Sequence, residues 1–139
     1  MLYLDGVHFS IRHGEKADAT IILTALGVDL EGNKEVLATL ACAEESKEGW
    51  LSLLHDLRTR GASQIDLIVT DGHDGRLSAL TELFAATPRQ RCLVHKQRNV
   101  LAAIPRRERA EVQAELVGIW EQGTKPEAFT QLAAENRQV

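Results

Sequence analysis

Along the first half of the chain, apolar and polar positions alternate with the period of β-strands. Residues 2–7 form one compact strand, and residues 19–28 are nearly all apolar, as in a strand buried on both faces. Residues 29–33 make a turn in which Gly32 and Asn33 can take positive φ, and residues 34–42 return as a third strand. Three strands joined by short polar turns predict an antiparallel meander.

The period then lengthens. Ser46 can cap a helix running to about Arg60, with Trp50, Leu53, Leu54 and Leu57 at helical spacing and Gly61 as its stop. Residues 65–70 are a short apolar strand suited to the centre of a sheet. A helix over 75–85 places Leu77, Leu80, Leu83 and Phe84 on its buried side. Residues 90–94 read as a fifth strand that buries Cys92. Helices follow over 96–104, ended by Pro105, and over 106–120. A last helix starts at Thr124 and frays at the C-terminus. Trp50 and Trp120 both fall at helical core positions. The order β-β-β-α-β-α-β-α, then further helix, predicts an α/β fold with a mixed sheet.

A chain of 139 residues, 44% hydrophobic and 26% charged, has the size and composition of one globular domain. Two cysteines, Cys42 and Cys92, do not make a disulfide scaffold. No run reaches transmembrane length and no signal peptide precedes the first strand, so a cytoplasmic protein with no membrane partner is expected. The net charge of −4 is unevenly spread. Residues 1–85 carry 7 basic and 14 acidic side chains, and residues 111–139 carry 2 and 5. Between them Arg89, Arg91, Lys96, Arg98, Arg106, Arg107 and Arg109 face one acid, Glu108. Such a block can contact phosphates; equally, Arg106 to Arg109 can decorate a solvated helix turn.

Two strands end in Asp-Gly, at Asp5-Gly6 and at Asp71-Gly72. The second aspartate sits at the C-terminal end of its strand, where open α/β sheets place ligand sites. If the first and fourth strands are neighbours, the two carboxylates meet at one rim. Two close carboxylates repel, and a Mg²⁺ or Mn²⁺ ion with oxygen ligands offsets that repulsion. Plain turn chemistry is the alternative for each motif alone. Gly72 leaves room for close approach, and His73 stands beside Asp71 as a supporting group or as exposed loop. Cys92 and His95 have the spacing of a zinc half-site, but no second Cys/His pair completes a tetrahedron. His95 then opens the next helix near the acidic site, with or without a chemical role.

At these residues the chain resembles the catalytic core of mutator-type transposases of bacterial insertion sequences. The matching stretches are Tyr3-Leu4-Asp5-Gly6, Gly27-Val28-Asp29 with Gly32-Asn33-Lys34-Glu35-Val36-Leu37, and Glu45-Ser46 with Trp50 and Leu53-Leu54. They continue through Asp56-Leu57-Arg58, Arg60-Gly61, Thr70-Asp71-Gly72 with Gly75, Gln90-Arg91-Cys92, His95-Lys96 and Arg98-Asn99. The likeness runs in order over roughly residues 1–120. It implies an RNase H-like core over residues 1–104, with residues 105–139 starting a helical insertion. It implies DNA hydrolysis and strand transfer by two aspartates and a glutamate holding two divalent ions. Asp5 and Asp71 match the aspartates; Cys92 and His95 match a supporting Cys-x-x-His pair. DNA and further copies, or a full-length transposase, are the implied partners.

The resemblance departs in two places. Family members carry a DNA-binding region before the first catalytic strand, and their third acid follows the helical insertion. The chain is therefore expected to be a fragment, inactive or nearly so alone. Glu111, Glu115, Glu121 and Asp66 are not assigned as the missing acid. Two other readings stay open. One is a non-catalytic remnant that binds DNA or transposase; the other is a small metal-dependent hydrolase with a third carboxylate beside Asp5 and Asp71.

Overall fold

Side chains alternate across a strand, so Leu2 and Leu4, Leu23 and Ala25, and Ile68 share one face of a pleated sheet. All five are buried. They form the core side of a five-stranded mixed sheet in a computed structural model that describes residues 1–14 and 16–135. Its strands are β1 (Leu2–His13), β2 (Lys16–Val28), β3 (Lys34–Cys42), β4 (Ile68–Thr70) and β5 (Arg89–Arg91). Five helices are described: α1 (Lys47–Thr59), α2 (Asp74–Leu83), α3 (Leu93–Ala103), α4 (Arg109–Trp120) and α5 (Lys125–Glu135). The chain divides into two units, Met1–Cys92 and Leu93–Val139.

The spatial order in the first unit is β3-β2-β1-β4-β5. The β1-β2-β3 meander is antiparallel, whereas β4 pairs in parallel with both β1 and β5. The first and fourth strands are therefore neighbours. Strand β1 runs beyond the expected residues 2–7 because alternation persists through Phe9 and Ile11, opposite Thr20 and Asp18 of β2. On its other side β1 pairs with β4 only through Leu2, Tyr3 and Leu4, and Val7, Phe9 and Ile11 remain exposed.

Helix α1 matches its expected span. The Ser46 hydroxyl accepts from the Gly49 amide at 3.1 Å, and Gly61, at φ +102°, follows the last turn. Trp50, Leu53, Leu54 and Leu57 are all buried, packed with Ala79, Leu80 and Phe84. Helix α2 departs from expectation. Leu77 and Leu83 are only half-buried, and Arg76 is fully enclosed together with Ala79 and Leu80.

Several further boundaries differ. In β4 only residues 68–70 form ladder pairs, with the Leu67 carbonyl accepting from the Leu2 amide ahead of them. Strand β5 stops at Arg91, where the Cys92 amide donates to the Thr70 carbonyl at 2.8 Å. Leu93 and Val94 then open α3 and are exposed, and Cys92 is half-buried rather than enclosed in a strand. Helix α4 starts at Arg109, not Arg106, because the Glu108 amide turns back to the Pro105 carbonyl. Trp120 is half-buried, so of the two tryptophans only Trp50 is core. The expected fraying at the C-terminus falls on residues 136–139, outside the described residues. Among the described residues no helix is long and apolar enough to cross a membrane.

In the β2–β3 turn the Asp29 carboxylate accepts from the Asn33 amide and the Asn33 side-chain amide, both at 2.8 Å, and only Gly32 takes positive φ. These bonds, the side-chain one foremost, hold the Asp29 carboxyl below the ordinary aspartate range. The folded value is depressed, so this contribution is present above the unfolded value and is lost as pH falls through the folded one. Carboxyl ¹³C titration should show Asp29 titrating low, and Asn33→Ala should raise it part of the way back, since the backbone amide bond at residue 33 remains. Leu54→Ala empties a fully buried core position and should cost about 2–5 kcal/mol in urea unfolding. Leu30→Ala, at a position 96% exposed, should leave the midpoint unchanged.

Candidate metal centre

Leu4 of β1 pairs with Thr70 of β4, the last ladder pair between these parallel strands. Asp5 and Asp71 are the next residues on each strand. Their carboxylates each offer an oxygen within 4.8 Å of the other, and both residues are half-buried. The two Asp-Gly motifs are thus brought together at one rim of the sheet, on oxygen donors suited to a hard divalent cation.

Beside the pair lies a charged network centred on Arg76. Its side chain is fully buried. Nη1 donates to the Leu4 carbonyl at 2.9 Å, the Thr70 hydroxyl at 3.0 Å and Asp71 Oδ1 at 2.7 Å. Nη2 donates to Glu45 Oε1 at 2.6 Å. The guanidinium also lies 4.4 Å from the centre of the Trp50 ring. The Trp50 indole N–H donates to the same Glu45 oxygen at 2.9 Å. Charge-assisted bonds of this kind are shorter and stronger than neutral ones, and here they offset the cost of enclosing a cation.

Two glycines make the packing possible. A Cβ on Gly6 would meet Glu45 Oε2 at 2.8 Å, so the position after Asp5 is open to that carboxylate only as glycine. Gly72 has φ +92°, and a Cβ there would stand 2.8 Å from Arg91 Nε. Arg91 Nη2 donates to the Asp71 carbonyl at 3.1 Å.

The other expected site residues fall as follows. His73 precedes α2; its amide donates to Asp71 Oδ1 at 3.0 Å, and its Nδ1 lies 3.5 Å from Glu45 Oε1. His73 is exposed, and its ring lies at the edge of the acidic network. Cys92 follows β5, and His95 lies in the first turn of α3, in the second unit. Arg89 donates to the Thr81 hydroxyl at 3.0 Å. Lys96, Arg98, Arg106 and Arg107 are exposed. Burial first, and the Glu45 charge second, push the Cys42 thiol up from its ordinary value.

Arg76 is not singled out by sequence, and Glu45 enters only within a stretch matched by the resemblance, with no role assigned. Arg76 stands three and four residues before the buried Ala79 and Leu80. A cation at an apolar helical position signals a buried partner. Nothing local to Glu45, in a connection before a helix cap, announces that it is that partner.

The first unit thus carries an acidic rim on a mixed sheet, with two carboxylates near enough to share a hard cation. The chain belongs to the family described as Transposase, Mutator family, which matches residues 1–138. It is 41% identical over 105 residues to the transposase for insertion sequence element IS6120 of Mycolicibacterium smegmatis, covering 76% of this chain and 32% of that protein. It is 31% identical over 133 residues to the transposase for insertion sequence element ISRM5 of Rhizobium meliloti (strain 1021), covering 96% and 33%. With the transposase for insertion sequence element IS905 of Lactococcus lactis the identity is 34% over 112 residues, covering 81% and 28%. The chain thus spans about a third of the length of these relatives. A chain of a simian T-cell lymphotropic virus intasome structure aligns at a TM-score of 0.45 and 16% identity, over 88% of this chain and 49% of that one.

Removing the guanidinium leaves two carboxylates without their shared partner. Arg76→Leu should destabilise the fold by about 3–5 kcal/mol, read as a shift in the urea midpoint.

Proposed function

We propose that this chain is part of the RNase H-like catalytic core of a DNA transposase, with Asp5 and Asp71 as two acids of its divalent-metal site. The observation that carries the reading is the approach of the two carboxylates to within 4.8 Å on neighbouring parallel strands. Family membership supports it. Asp5 and Asp71 would hold Mg²⁺ or Mn²⁺, and a complete enzyme of this kind would hold two such ions. When bound, the metal supplies charge neutralisation at a scissile phosphate and raises the nucleophilicity of water or a 3′-hydroxyl.

The chain's own residues have separate tasks. Arg91, anchored on the Asp71 carbonyl, presents a cation beside the acids, where a phosphate backbone would pass. Arg89, Lys96, Arg98, Arg106 and Arg107 would be phosphate contacts. His73 orients Asp71 through its amide, and Cys92 and His95 support the site. We assign no third acid, and two acids alone would leave the isolated chain inactive or nearly so. DNA, and further copies of the chain or a full-length transposase, are the partners, met in the cytoplasm.

A second reading, a binding remnant without catalysis, is favoured by the exposed row Val7, Phe9 and Ile11 on β1. The two differ in their metal dependence. Mn²⁺ should bind the chain, as read by loss of the free-ion paramagnetic resonance signal, and Asp5→Asn or Asp71→Asn should abolish binding. Binding that survives both substitutions sinks the catalytic-core reading. DNA affinity should fall steeply with salt, with log–log slope set by the number of phosphate contacts.

A further inference from the structure

A cation enclosed beside a metal site ordinarily works against it, because it competes for the same carboxylate. Arg76 is bonded so that this competition is relieved. Its two terminal nitrogens are divided between two acids, Asp71 Oδ1 on Nη1 and Glu45 Oε1 on Nη2. Nη1 also holds the Leu4 carbonyl, one residue before Asp5. One planar group is thereby bonded to both strands that carry the acids. Glu45 is in turn fixed by the Trp50 indole N–H, and the Trp50 ring covers the guanidinium. Gly6 leaves the space that Glu45 fills.

We propose that Arg76 is a positioning residue for the metal ligand Asp71, and that Glu45 is the counter-ion that lets it act as one. The proposal rests on the metal reading of Asp5 and Asp71. Arg76 holds one Asp71 oxygen in place, so the carboxylate meets a cation in a fixed orientation. Glu45 supplies the second negative charge that the guanidinium needs, so the charge of Asp71 stays available to the cation. A lysine cannot reproduce this, because its single ammonium is a point charge without the fork that spans two carboxylates. Partners one step removed from a metal typically alter its affinity by about 10- to 100-fold when lost.

The test uses the 139-residue chain and Mn²⁺ alone, with folding followed by circular dichroism. Arg76→Lys should weaken Mn²⁺ binding by about 10- to 100-fold while the chain remains folded. Glu45→Gln, which keeps an acceptor for both Arg76 and Trp50, should also weaken it. The double variant should lose less than the product of the two single losses, since both act through one pair. A purely structural network would lower the melting temperature and leave the Mn²⁺ dissociation constant where it was. Unchanged or tighter binding in a folded Arg76→Lys chain overturns the proposal. If that variant does not fold, the wild type answers instead. Titration with diamagnetic Mg²⁺ should shift the Arg76 Nε–H and Trp50 indole N–H resonances together, and saturation without such shifts overturns it. Failure of the wild type to bind Mn²⁺ removes the metal reading and this proposal with it. Wild-type binding that is indifferent to Arg76→Lys removes the proposal alone.

Discussion

The rim of the sheet is organised by a guanidinium that water does not reach. Arg76 is enclosed, and an enclosed cation persists only where opposite charge and acceptors meet it. Asp71 and Glu45 supply the charge; Leu4 and Thr70 supply neutral acceptors. These groups come from β1, β4 and the connection between β3 and α1, and Trp50 of α1 closes the arrangement over the guanidinium. The carboxylate that heads the candidate metal centre is therefore set by the same bonds that join the sheet to its helical layer.

That coupling explains why glycine recurs beside the acids. At Gly6 the space of a side chain is taken by the Glu45 carboxylate. At Gly72 the backbone turns through a left-handed conformation while Arg91 crosses against it to reach the Asp71 carbonyl. Asp-Gly, common as mere turn chemistry, serves here to let charged groups from distant segments approach the backbone. The two glycines answer to different neighbours, one an anion and the other a cation.

The sheet is finished on one face only within the first unit. Leu2, Leu4, Leu23 and Ala25 turn inward under α1. Tyr3, Val7, Phe9 and Ile11 lie along β1 and stay exposed. The rim carrying Asp5 lies part-way along this strand, where the paired support of β4 ends.

Alternation and helical spacing are enough to determine most elements, because they record which face of each segment avoids water. The β3 span, the Ser46 cap and the four buried apolar residues of α1 follow from the residues themselves. So do the two Asp-Gly motifs as candidates, since strand ends and turn residues are local features. Boundaries depart from the local pattern where a tertiary bond or a turn ends an element: the Cys92 amide closing β5 on Thr70, and the Pro105 carbonyl delaying α4. The meeting of Asp5 with Asp71 requires β1 and β4 to be neighbours, a matter of sheet order on which local pattern is silent. The tie between Glu45 and Arg76 spans 31 positions, and hydrogen bonds over such separations leave no periodic trace. Sequence thus named the acids, and the packing of strands and helices decided what holds them.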